Sequence, residues 1–220
     1  MWYNTNMTEI QRTEGIILRS IPFGEADAFF VILTKDFGKM KIFAKGVKKI
    51  DAKLAGHLDL FNKSEIAFVM GKKIPRLTSS ITDDYYKNIK LDLERLAVGF
   101  FVAELVEQML EENVIVLEEY RELVDVLDKI ESAPARKIKY IPAVFAARLL
   151  SISGCCPDFK DKNNETKLLR LCLKFGYDII EKVDLSGVNL SKLRKIIEDP
   201  LSNSIHSKLN SWQFLKNVVE

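Results

Sequence analysis

The run Gly38-Lys39-Met40-Lys41-Ile42-Phe43-Ala44-Lys45 alternates at period two between small or apolar residues and charged or aromatic ones. In a strand, that pattern turns Met40, Ile42 and Ala44 to one side and Lys39, Lys41, Phe43 and Lys45 to the other. Three ammonium groups and one ring on a single face suit a nucleic-acid backbone and its bases. The lysines displace counterions from phosphate, and the ring offers a stacking surface. Lys48, Lys49 and Lys53 carry the charge past the strand, so residues 35–53 hold seven lysines against two carboxylates while the whole chain is only +2. The candidate contact set is therefore Lys39, Lys41, Phe43, Lys45, Lys48, Lys49 and Lys53. Arg19 and Arg76 are further cations whose faces the pattern leaves open. Lysines are point charges, so the expected contacts are to phosphate and independent of base sequence. The competing reading is a solvated lysine face that protects an edge strand from aggregation.

Other chemistry has less support. Glu25, Asp27 and Asp36 would be the carboxylates of a metal-dependent hydrolase, but no His, Ser or Cys accompanies them. There is no Gly-rich phosphate loop and no dinucleotide fingerprint. His57, in an apolar stretch, reads as a packed, hydrogen-bonded residue, and Phe23 and Gly24 as shaping a turn. Cys155 and Cys156 are adjacent, Cys172 follows, and a fourth cysteine is lacking. Adjacent cysteines rarely both reach one tetrahedral ion, and His206 is isolated, so zinc is not expected. The three thiols read as small buried apolar side chains. No cofactor is expected.

The elements that must hold the lysine face come from hydrophobic period. Thr13–Ile21, Ala28–Thr34, Gly38–Gly46, Lys63–Met70 and Ile74–Thr82 read as strands, with turns at Pro22-Phe23-Gly24 and Gly71-Lys72-Lys73. A short helix fits within residues 53–61. From Asp84 the period becomes helical: residues 84–112, 117–130, 135–153, 166–182, 191–197 and 201–218. Asp83 or Asp84, Ser186 and Ser191 are the expected caps, and Pro142 is expected near a helix start. The fold class is thus α+β in two domains. Residues 1–82 form a five-stranded OB-fold β-barrel, the nucleic-acid-binding domain, and residues 83–220 an all-α domain. Residues 1–80 carry 13 basic and 8 acidic side chains, and the remainder is net acidic, which suits two domains with different partners. No apolar run approaches the roughly 18 residues of a membrane helix. The start shows no signal-peptide pattern, so no membrane role and a cytoplasmic, nucleoid-associated location are expected.

Four blocks resemble the N-terminal signature of the RecO DNA-repair proteins, in the family's order and spacing. They are Thr13-Glu14-Gly15-Ile16-Ile17-Leu18, Pro22-Phe23-Gly24-Glu25-Ala26-Asp27, Thr34-Lys35-Asp36-Phe37-Gly38-Lys39 and Ala44-Lys45-Gly46-Val47-Lys48-Lys49. Leu54-Ala55-Gly56-His57-Leu58 sits where the family has an apolar turn, and residues 153–159 resemble its Gly-x-x-Pro element. The resemblance implies an N-terminal OB-fold and a helical C-terminal domain. It also implies a protein that binds single- and double-stranded DNA, anneals complementary strands and, with RecR, helps load RecA onto strands coated by single-stranded-DNA-binding protein. It implies no covalent catalysis and no nucleotide cofactor. In the family the helical domain holds a pocket for the acidic, apolar C-terminal tail of the coating protein. Such a pocket needs an apolar cleft beside a basic group; Arg148, or Lys208 and Lys216 near Trp212, are candidates for that group, and none is assigned as a site. Some members carry a four-cysteine zinc site after the Gly-x-x-Pro element, and this chain departs from that pattern. The alternative is a protein–protein adaptor whose barrel binds a partner such as RecR without touching DNA.

Overall fold

The computed structural model describes residues 9–49, 55–157, 159, 161–205 and 207–219. They divide into two compact units. One comprises the described residues up to Tyr85 together with Leu110–Tyr120; the other comprises Tyr86–Met109 and the described residues from Arg121 onward. A single cut after residue 82 therefore misses the segment Leu110–Tyr120, which returns to the first unit.

The first unit is a closed barrel of β1 (Ile10–Phe23), β2 (Asp27–Thr34), β3 (Gly38–Ala44), β4 (Lys63–Val69) and β5 (Arg76–Asp84), ordered β1-β2-β3-β5-β4. A 3-10 turn, Ala55–Leu58, lies between β3 and β4. This is the OB-fold arrangement. Four pairings are antiparallel, and the barrel closes through one parallel register, Phe43 opposite Arg76, with Phe43 N–H donating to the Pro75 carbonyl at 2.9 Å. Period two builds the interior. Phe30 faces Ile42, Ile32 faces Met40 and Ala28 faces Ala44 in register, and all six are buried beside Ile66 and Phe68. Each large side chain removed from water there contributes roughly 1.5–3 kcal/mol.

A β-bulge between Ile17 and Arg19 decides what the outer face carries. Ile17 pairs with Ile32 and points inward, but the extra residue makes Arg19 pair with Val31 rather than Phe30. Arg19, Ile21 and Phe23 therefore point outward. β1 also runs through Pro22 and Phe23, so the expected turn falls later, at Gly24–Ala26.

Below its single pair with β5, the edge of β3 is taken by the return segment. Asn113 N–H donates to the Lys39 carbonyl at 2.8 Å, and Glu112 forms a parallel bridge with Lys39. Tyr120 donates its hydroxyl to Glu14 at 2.9 Å, and burial, reinforced by Glu14, raises its pKa well above the usual phenol value. Gly38 lies at φ 71°, and a Cβ there would sit 1.8 Å from the Val114 carbonyl oxygen. Gly38→Ala is therefore expected to cost about 2 kcal/mol or more, through backbone strain and displacement of the segment. Urea unfolding of the barrel checks this; an unchanged midpoint would show that the segment is not seated on β3.

The second unit is helical: α1 (Lys87–Leu91), α2 (Leu93–Met109), α3 (Leu117–Ser132, its first turn in the barrel unit), α4 (Ala135–Ile138), α5 (Ile141–Ile152), α6 (Asn164–Phe175), α7 (Asp178–Lys182), α8 (Leu190–Ser204) and α9 (Asn210–Val218). β5 extends to Asp84, so the caps lie elsewhere than expected. Asp92 accepts from Arg95 N–H, Asn163 from Thr166 N–H and Asn189 from Lys192 N–H. Pro142 does fall in the first turn of α5. α8 runs through Pro200 instead of stopping there, because Leu193, Ile197 and Leu201 continue one buried stripe on both sides of it. α5 is buried along most of its length, and its one charge, Arg148, binds Glu122 of α3 through Nε–Oε1 (2.7 Å) and Nη2–Oε2 (2.6 Å). Arg148 also donates to the Cys172 carbonyl at 2.8 Å, and Tyr177 donates its hydroxyl to Glu122. Arg148 is thereby committed to an internal pair rather than to an external anion. Among the described residues no helix is long and apolar enough to cross a membrane.

Candidate nucleic-acid interface

The register places the outer residues of β1, β2 and β3 in rows. Arg19, Val31 and Lys41 form one; Ile21, Phe29 and Phe43 form the next, extended by Arg76 across the closing pair. Phe23 ends the face. The three phenylalanines cluster edge-on or tilted, with centroids 5.1 Å apart for Phe23–Phe29, 5.2 Å for Phe29–Phe43 and 6.1 Å for Phe23–Phe43. Phe23 is 55% exposed. The Lys41 ammonium lies 4.8 Å from the Phe29 centroid, a cation–π contact that holds a charge beside the rings.

Two loops flank this face. Asp27 accepts from Gly46 N–H at 2.7 Å, and the Ala26 carbonyl accepts from Lys48 N–H at 2.9 Å. These bonds tie the turn carrying Lys45, Lys48 and Lys49, all three exposed, to the β1–β2 turn. On the other side, the β4–β5 loop, residues 70–75, carries Lys72 and Lys73, both exposed. Gly71 lies under the Ile74 carbonyl, where a Cβ would come within 2.2 Å of the oxygen, so the loop folds back tightly. Between this loop and the rings is a concave site of about 670 Å³ lined by Phe29, Phe43, Val69, Met70, Ile74 and Arg76. The β2–β3 face with the β1–β2 and β4–β5 loops is the surface on which OB-folds bind oligonucleotides.

Of the residues picked out by sequence, Lys41, Phe43 and Lys45 lie on this face or at its end, with Lys48 and Lys49 in the adjoining turn. Lys39 does not join them as a solvent-facing residue. It is only 8% exposed, because the return segment covers its end of β3. Lys53 lies outside the described residues. Sequence reasoning missed Phe29, read Phe23 only as part of a turn, and left Arg76 unplaced. Phe29 is hidden in the unbroken apolar run of β2, and Arg76 reaches the face only through barrel closure.

The rival carboxylates are dispersed. Asp27 holds the Gly46 turn, Asp36 accepts from the Thr13 hydroxyl at 2.7 Å, and Glu25 is exposed. Among the described residues there is no group of three or more His, Cys, Asp or Glu side chains fit to hold a metal. His57 is packed as expected, with Nδ1 accepting from Thr82 N–H at 3.2 Å. The reading of three buried thiols holds for Cys172 alone, whose pKa burial pushes up to about 12; Cys155 and Cys156 follow the end of α5 and are exposed.

The family described as Recombination protein O N terminal matches residues 7–85, and the one described as Recombination protein O C terminal matches residues 90–165. DNA repair protein RecO of Dehalococcoides mccartyi (strain CBDB1) is 32% identical over 166 residues, which is 74% of this chain and 64% of that protein. DNA repair protein RecO of Trichodesmium erythraeum is 27% identical over 223 residues, 94% of this chain and 77% of that protein. The chain thus spans less than two thirds of the Dehalococcoides relative's length.

Proposed function

The chain belongs to the RecO family, and we propose that it is a DNA repair and recombination mediator that binds single- and double-stranded DNA and anneals complementary strands. The observation that carries this is the outer barrel face, where three phenylalanines lie among Lys41, Lys45 and Arg76 and between two lysine-bearing loops. The cations neutralise phosphate repulsion between two strands, and the face holds them at high local concentration, so pairing follows by mass action. No covalent step and no cofactor are required.

The partners in this reading are RecR, RecA on the loaded strand, and single-stranded-DNA-binding protein. The last fits a cleft of about 410 Å³ in the helical unit lined by Leu201, Ile205, Lys208, Leu209 and Trp212. Lys216 lies 5.3 Å from the Trp212 centroid. Glu198 also lines the cleft and pairs with Lys216 at 3.0 Å, which leaves the Lys208 ammonium beside the apolar floor to meet an acidic, apolar tail. The test is annealing of complementary oligonucleotides, bare and coated. The protein is expected to speed both, and Trp212→Ala to remove the effect on coated strands while sparing bare ones. If neither is accelerated and no strand is bound at low salt, the barrel is an adaptor for a protein partner.

A further inference from the structure

We propose that the concave site under the β4–β5 loop seats one unstacked base, and that this makes the face prefer single-stranded nucleic acid over duplex. The inference rests on the DNA-binding reading and adds to it. The site is an open concavity whose volume, about 670 Å³, is large enough for a nucleobase. Its floor is apolar, from Val69, Met70 and Ile74, and its wall is the Phe29–Phe43 pair, whose planes are inclined by 52°. Rings so inclined do not both lie flat on the same base: one stacks face-on while the other meets the base at a tilt. Among the described residues no carboxylate lines the site, and Lys72, Lys73 and Arg76 supply its charge. An apolar cup walled by aromatic rings, with basic groups at its rim, matches a flat heterocycle attached to a phosphate.

A base in a duplex is already stacked and paired, and extracting it costs a few kcal/mol. The cations serve both forms of DNA, the duplex somewhat more strongly through its higher charge density, but the cup serves only an unpaired base. The two contributions therefore separate experimentally. The full chain is titrated with a labelled oligothymidylate, a strand of equal length and charge built of abasic units, and a duplex. Base–aromatic stacking corresponds to roughly a 5- to 150-fold gain, so oligothymidylate is expected to bind tighter than the abasic strand by a factor in that range. In Phe43→Leu, and in Phe29→Leu as a second variant, that ratio collapses toward one while the salt dependence is kept. Equal wild-type affinity for the base-bearing and abasic strands, or a ratio unchanged in both variants, would overturn the cup and leave the basic face standing. Loss of binding to all three probes at low salt would overturn the underlying reading, and the cup with it.

Discussion

Replacing Lys41, Lys45 and Arg76 together with glutamate is expected to lower affinity for a single-stranded oligonucleotide by at least about 100-fold at roughly 50 mM salt. All three side chains are at least partly exposed, and none supports the barrel interior. Each cation that neutralises a phosphate on a single strand contributes about 0.7 to the slope of log K against log salt, so losing three flattens the slope by about two. The loss should be the same for every base sequence, because lysine and arginine on this face meet phosphate. Lys39→Gln is the informative contrast. That side chain lies beneath the return segment, so affinity is expected to change little. Anisotropy titrations of the two variants decide whether the face is the outer surface of β2 and β3 or the whole lysine run.

The second large effect concerns the helical unit. Glu122 is only 3% exposed and takes hydrogen bonds from both the Arg148 guanidinium and the Tyr177 hydroxyl. Arg148→Met strands that carboxylate in an apolar setting. Removing one member of a buried pair costs about 3–5 kcal/mol, which corresponds to a fall in melting midpoint of roughly 6–20 °C for a chain of this size. The double variant Glu122→Leu, Arg148→Met leaves no unpaired charge and is expected to recover most of the loss. A double-mutant cycle by urea unfolding gives the coupling directly. If Arg148→Met is as stable as the parent, the pair does not organise the helical unit.

Period two located the barrel strands because their inner residues, such as Ile32, Met40 and Ile42, alternate with outer ones. What it did not reveal is non-local. The bulge after Ile17 changes the phase of β1 without any glycine to announce it, so the outward position of Arg19 was open. β2 is apolar on both faces, and Phe29 was therefore indistinguishable from its inward neighbours. Lys39 obeys the alternation but is covered by a segment more than seventy residues later, which no local pattern contains. In the helical unit, the buried stripe of α8 outweighs the helix-breaking signal of Pro200. Arg148 found its partner on another helix, where sequence alone suggested an external anion.

The most direct test of the basic face is the salt dependence of binding to a labelled oligothymidylate, measured by anisotropy without added metal. Among the described residues eight cations, namely Arg19, Lys41, Lys45, Lys48, Lys49, Lys72, Lys73 and Arg76, lie on this face and its loops. If about four to seven of them meet phosphate, log K falls with log salt at a slope of about −3 to −5, equal for different base sequences. A flat dependence, or no binding at about 50 mM salt, would contradict the assignment of this face to nucleic acid.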